Sequence, residues 1–254
     1  MYGPIVNLEN LMRDLRTNRA FRTLKSFKES ASEVSFRPLD FLFRQIKKSS
    51  VDLVLDVGAN LGQFATDLKL SGYAKRIDSF EPVKSQFEYL SKRALIYSNW
   101  KTHNFAFGDR VGENEIFVTS NSGLSSSFLQ MNNTHISNFP MAKMINSEMV
   151  QVTTIQEYIK TADVEPRTTL LKLDVQGYES KVLAGCRDQL QHFALCFLEV
   201  SLIPLYDEEP TFLEILNYLN ANGQQLIDVR RGVKSQSGDL LQLDILTRRV
   251  TTNE

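Results

Sequence analysis

The residues best suited to chemistry stand where short apolar runs give way to polar ones. Asp56-Val57-Gly58-Ala59-Asn60-Leu61-Gly62 closes the run VDLVLDV (51–57). Gly58 and Gly62 let the main chain come close to a ligand, and the helix-compatible sequence after them offers unpaired amides to a negative group. Asp56 is expected to face that ligand, where its carboxylate would repel a pyrophosphate and suit an ammonium group. The turn lacks the G-x-G-x-x-G of a dinucleotide site. Glu81 follows 19 residues after Gly62, at the end of a second apolar run, RIDSFE. A carboxylate there can accept two hydrogen bonds from a ribose diol. An acid for an amine, a turn through Ala59 and Asn60, and an acid for a ribose describe S-adenosylmethionine better than a nicotinamide dinucleotide. The glycines alone would read as plain turn residues; Asp56 and Glu81 at strand ends shift the balance.

A second constellation lies in the other half of the chain. Lys172 and Asp174 share one face of the run TTLLKLDV by their two-residue spacing, and Asp174 ends it. Asp174 is the first candidate for orienting or deprotonating an acceptor; capping the helix that begins at Tyr178 is its structural alternative. Lys172 is read as the partner of a carboxylate or as a packed strand lysine, and Glu179 belongs to the same motif. Glu199 ends the run FALCFLEV and either lines the same crevice or is an ordinary charged strand end. Ser126 and Ser127 can hydrogen-bond a cofactor carboxylate or a substrate hydroxyl, or simply belong to a serine-rich loop. His135 sits in the polar stretch 121–149, too long for an ordinary connection and therefore a candidate lid; it is a candidate general base or a solvated loop histidine. His103 and His192 read as structural. Neither these residues nor Cys186 and Cys196 show metal-ligand spacing, so no metal site is expected and both thiols read as buried and reduced.

These residues need a scaffold that brings strand ends together. Apolar runs at 51–57, 76–81, 100–107, 115–120, 168–175 and 193–200 alternate with helical patterns such as Val83, Phe87, Leu90, Ala94 and Tyr97. That alternation predicts a doubly wound α/β sheet, and QQLIDVRR with LLQLDILTRR predicts an antiparallel terminal hairpin. Residues 1–50 are read as an N-terminal helical cap and 51–254 as the main domain. In the cap, Arg13, Arg16, Arg19 and Arg22 form one stripe and Ile5, Leu8, Met12 and Leu15 another, while Leu39, Leu42, Phe43 and Ile46 mark a second helix. The cap carries a balance of +5 and the remainder −6, for a formal net charge of −1. The near-neutral total weighs against a nucleic-acid partner. No apolar stretch approaches the roughly 20 residues of a membrane span, and the first residues lack the pattern of a secretory signal. A cytoplasmic protein is expected, with oligomerisation left open.

The segments VLDVGANLGQF, SFEP, NFAFGD, the Ser126-Ser127 pair, LLKLDVQGYESKVLAG and FLEV stand in the order found in FkbM-type S-adenosylmethionine-dependent methyltransferases, which the chain resembles from about residue 51 to 247. The resemblance implies a class I methyltransferase (Rossmann-like) fold and O-methylation of a hydroxyl on a sugar or other polar metabolite, a small-molecule or glycan acceptor. It also implies that Asn104, Ala106 and Asp109 lie near the adenine, where a small Ala leaves room for a flat ring. The turn at Gly108 is the bland reading of the same residues. The family commonly carries Glu where this chain has Gln176. That departure keeps a cofactor-binding, non-catalytic partner protein in view, while the arginine stripe keeps RNA methylation as the rival enzyme reading.

Overall fold

The computed structural model describes residues 39–250. The expected helix of Ile5 to Arg22, and with it the basic stripe, lies outside them. The first described helix, α1 (Asp40–Lys48), buries Leu42 and Ile46 as its periodicity predicts, together with Phe41, against the core that also holds Val54 and Leu170.

The described residues form two sheets. The larger has seven strands: β1 (Leu53–Val57), β2 (Arg76–Phe80), β3 (Trp100–His103), β7 (Thr169–Leu173), β8 (Leu195–Ser201), β9 (Gln224–Arg231) and β10 (Gln242–Arg249). Their order is β3-β2-β1-β7-β8-β10-β9; the first five run parallel, and β10 pairs antiparallel with both β8 and β9. This is the class I methyltransferase arrangement, closed by the expected hairpin. The order reverses between β1 and β7, which opens a crevice beyond their carboxyl ends. β1 and β7 are buried along their whole length, as strands covered on both faces must be.

Helices α2 (Gln63–Leu70) and α3 (Lys84–Ala94) follow β1 and β2, and α6 (Glu179–Gly185) follows β7. After β8, α7 (Phe212–Ala221) starts at a capping box in which Thr211 and Glu214 satisfy each other's orphan amides.

The smaller sheet corrects two expectations. The run 100–107 is two strands, not one: β3 stays in the large sheet, while β4 (Ala106–Phe107) pairs with β6 (Met144–Thr153) in the small one. Asn104 makes the break, its side-chain amide donating to the carbonyls of Glu81 and Pro82 at 2.9 Å each. The stretch 121–149 is only partly loop, for it holds α4 (Asn133–Asn138) and the first half of β6, which pairs antiparallel with β5 (Gly112–Thr119). β6 then leads into α5 (Ile155–Thr161), capped by Thr154.

Candidate active site

The crevice at the strand-order reversal has a cavity volume of about 80 Å³ and opens to solvent. Its walls bring together Gly58, Asn60, Glu81, Ala106, Ser126, Ser127 and Asp174. Asp56, Ala59, Gly62, Asn104, Asp109, Lys172 and His135 do not line it.

Gly58 is at φ +74°, and a Cβ on it would lie 1.9 Å from the Asp174 carbonyl oxygen. Its need for glycine therefore comes from the backbone that leaves β7, and the turn and Asp174 are locked together. Gly62, also at positive φ, would drive a Cβ into Leu90 and the Trp100 indole, so it serves helix packing rather than ligand approach.

Asp56, expected to face the ligand, is withdrawn from the crevice wall. It is fully buried on β1, where the parallel register sets it beside Ser79 of β2 and Lys172 of β7. Ser79 Oγ donates to its Oδ2 at 2.9 Å, and Lys172 Nζ lies 3.1 Å from its Oδ1. The same ammonium donates to the carbonyls of Val57 and Gly58 at 3.3 and 3.1 Å. The pair is thus a strut beneath the glycine turn. Burial works to lower the Lys172 pKa, but Asp56 and Asp174 outweigh it and the pKa is raised.

Glu81 is placed by the end of β2 with its carboxylate in the crevice wall. Oε2 accepts from the Asn60 amide at 2.9 Å and Oε1 from the Val83 amide at 2.8 Å. Burial pushes its pKa up to about 7 despite these two donors. Each oxygen keeps a lone pair for a second donor, which fits a ribose diol. Around it Phe80, Phe105, Phe107, Phe128 and Tyr178 make an aromatic wall, with Ala106 as the small residue between two phenylalanines. Phe80 and Phe107 meet edge to face at 4.6 Å, and Phe128 packs on Tyr178 at 4.8 Å. An acid for two hydroxyls beside a flat, apolar slot fits the adenosine half of S-adenosylmethionine.

Asp174 lies one residue beyond β7 and keeps 38% of its side chain exposed, the quality an acid must have to reach a second substrate. Its Oδ2 is 3.7 Å from Lys172 Nζ, and its Oδ1 accepts from Gln176 Nε2 at 2.8 Å. Gln176, at φ +55° in the tight turn before α6, also reaches Glu199, and its carbonyl accepts from Ser127 Oγ at 2.7 Å. Ser126 Oγ accepts from the Thr119 amide at 3.2 Å. Glu179 is buried and accepts from the Val175 amide at 2.9 Å; burial raises its pKa to about 8.

The remaining candidates lie elsewhere. Asp109 pairs with Lys181 at 3.6 Å. His135 is neither in a loop nor solvated: it is buried on α4 between Phe139 and Tyr206, with Nδ1 unpartnered, and burial lowers its pKa to about 4. Such a group is neutral at pH 7 and does not line the crevice. The aromatic wall and Gln176 are the site residues that the sequence reading missed. Phenylalanines in strands look like ordinary core, whereas Gln176 stood out as a departure without a role.

Among the described residues no helix is long and apolar enough to cross a membrane, and no group of three or more His, Cys, Asp or Glu is placed to hold a metal ion. Similar solved structures include the 1,6-didemethyltoxoflavin-N1-methyltransferase of Burkholderia thailandensis, with bound S-adenosylhomocysteine: 13% identity, TM-score 0.46, covering 99% of this chain and 94% of that one. The magnesium protoporphyrin IX methyltransferase of Synechocystis, with bound S-adenosylmethionine, is similar at 11% identity and TM-score 0.46, covering 98% and 100%. Fibrillarin of Aeropyrum pernix gives 15%, 0.45, 78% and 66%. No curated protein matches the chain. The model of the methyltransferase FkbM domain matches residues 56–226, from the acid of the glycine turn through β8 into β9. The chain belongs to the FkbM methyltransferase family and is an S-adenosylmethionine-dependent methyltransferase.

Proposed function

We propose that the chain methylates a hydroxyl oxygen of a sugar or other small polar metabolite, with Asp174 taking the hydroxyl proton. The observation that carries this reading is Asp174 itself, a partly exposed carboxylate on the crevice wall whose two oxygens are oriented by Gln176 and Lys172. Bound S-adenosylmethionine supplies an activated methyl group whose sulfide leaves without needing a proton. The protein is left with holding the acceptor in line and accepting one proton as the oxygen–carbon bond forms. Glu81 receives the ribose hydroxyls, and Phe105, Ala106 and Phe107 border the base. Ser126, with the Ser127 and Gln176 backbone, gives the acceptor side of the crevice its polar character.

A thermal-shift and mass-spectrometric screen with S-adenosylmethionine and sugar-containing acceptors tests the reading. The expected result is a methyl group on an acceptor oxygen, lost in Asp174→Asn. Methyl transfer to a nitrogen, or to RNA in preference to any small hydroxyl compound, would overturn it.

A further inference from the structure

Gln176 lies between two acids in the turn that leaves β7, and its surroundings show what the carboxamide does. Nε2 is 2.8 Å from Asp174 Oδ1 and 3.1 Å from Glu199 Oε2, so those two oxygens are no more than about 6 Å apart. Two carboxylates that close, with one buried, repel each other strongly unless something positive lies between them. Lys172, 3.7 Å from Asp174 Oδ2, supplies part of it, and the amide supplies the rest with one N–H for each acid. Its orientation is fixed from the far side, where Tyr206 Oη lies 2.9 Å from Oε1 and 3.1 Å from the Ser125 carbonyl. The reverse orientation would set the amide oxygen against both acids. A second carboxamide, Gln242 Nε2, reaches the same Glu199 oxygen at 3.0 Å. Burial, and then the charge of Asp174, pushes the Glu199 pKa well up.

We propose that Gln176 is a positioning residue whose carboxamide fills a cation position between Asp174 and Glu199, holding the Asp174 carboxylate toward the crevice. Two N–H groups between two acid oxygens do there what a divalent cation does in an all-oxygen site. The step from Gln to Glu removes both donors and adds a third carboxylate to the same point. Three carboxylates around one centre are the start of an oxygen-ligand site for Mn²⁺.

The test uses Mn²⁺ alone as probe, on the full chain, followed by electron paramagnetic resonance and by thermal melting. Gln176→Glu is expected to bind one Mn²⁺ at least tenfold more tightly than the parent, to melt below the parent without the ion, and to recover when it is added. Adding Glu199→Gln to that variant should abolish the gain. Gln176→Met keeps the length and loses both donors without adding charge. It should gain no Mn²⁺ affinity, and with the acceptor found by the screen its kcat should fall at least tenfold while the KM for S-adenosylmethionine stays within twofold. A Gln176→Glu chain that binds Mn²⁺ no better than the parent overturns the proposal, as does one that aggregates equally with and without the ion. A Gln176→Met enzyme with parental kcat overturns it too. The kcat arm rests on Asp174 as the proton acceptor; the Mn²⁺ arms do not. Full activity in Asp174→Asn together with a Mn²⁺ site in Gln176→Glu would therefore sink the catalytic reading and leave the bridge standing.

Discussion

Cofactor affinity should depend on pH through one side chain, Glu81. Ionised, its carboxylate takes the Asn60 and Val83 amides and still offers one lone pair on each oxygen to the crevice. Protonation turns one of those lone pairs into a donor, which a ribose hydroxyl cannot use in the same way. With a pKa of about 7, the ionised fraction is roughly 0.9 at pH 8 and roughly 0.1 at pH 6. If the ionised form is the one that binds, Kd for S-adenosylhomocysteine rises about tenfold from pH 8 to pH 6, or about 1.4 kcal/mol. Glu81→Gln separates this from simple loss of structure. A carboxamide has one acceptor oxygen for two backbone amides, so one buried N–H is left against an NH₂ group at a cost of about 1–3 kcal/mol in stability. The variant should melt several degrees lower, bind S-adenosylhomocysteine more weakly by about 1–3 kcal/mol, and show no change in Kd between pH 6 and 8. Isothermal titration calorimetry at three pH values with both proteins measures all of this. A flat profile in the native protein, or the same slope in both, refutes the assignment of Glu81 to the ribose.

Asp174→Asn keeps the shape and removes the base, so turnover should fall by roughly 10² to 10⁴ with the melting temperature and S-adenosylhomocysteine affinity near native; full turnover would move the search to Glu199. Lys172→Met leaves Asp56 buried and unpaired beneath the glycine turn, and should cost about 3–5 kcal/mol in denaturant unfolding. A loss under about 1 kcal/mol would show that the strut carries no weight. Glu179 has its folded pKa raised to about 8 by burial, so its contribution to stability is full below the ordinary carboxylate range and is lost as pH rises from there to about 8. Glu179→Gln mimics the protonated acid and should flatten the fall in melting temperature between about pH 5 and pH 8; an unchanged slope assigns that fall to other groups.

The sequence made the centre of the large sheet legible because β1, β7 and β8 are mostly apolar runs, the pattern of strands covered on both faces. Of the small sheet, β5 was legible from the run 115–120, while β4 and the first half of β6 were hidden for the opposite reason. Met144, Ile145 and Met149 on β6 are exposed, so no alternation marks the strand, and the break at 104–105 depends on where Asn104 finds its acceptors. Within the site, Glu81 and Gly58 could be found from their places at the ends of runs. Asp56 was misread because its distance along the chain from the glycines resembles a distance in space. The corrective signal was present in Lys172: a lysine and an aspartate, each inside an otherwise apolar central strand, must find one another or remain unpaired at great cost. His135 illustrates the reverse error, since polar neighbours in sequence said nothing of Phe139 and Tyr206, which enclose it.

The two sheets never share a hydrogen-bonded strand pair, yet both reach the crevice: Gly58, Glu81 and Asp174 from the large one, Ala106, Ile116 and the segment 123–128 from the small one or beside it. The division separates what must be inherited from what can drift. The large-sheet side is a single rigid piece, since the Gly58 turn, the Asp56–Lys172 strut and the Asp174 backbone cannot shift one without the others. β5 and β6 pair only with each other and with β4, so the segment from Gly112 to Met149 can change without re-registering any strand of the large sheet. On the proposed roles, remodelling residues 112–149 changes the acceptor side of the crevice while Glu81, Phe105, Ala106, Phe107 and Asp174 stay in place, and a graft of that segment from a relative is the corresponding engineering route.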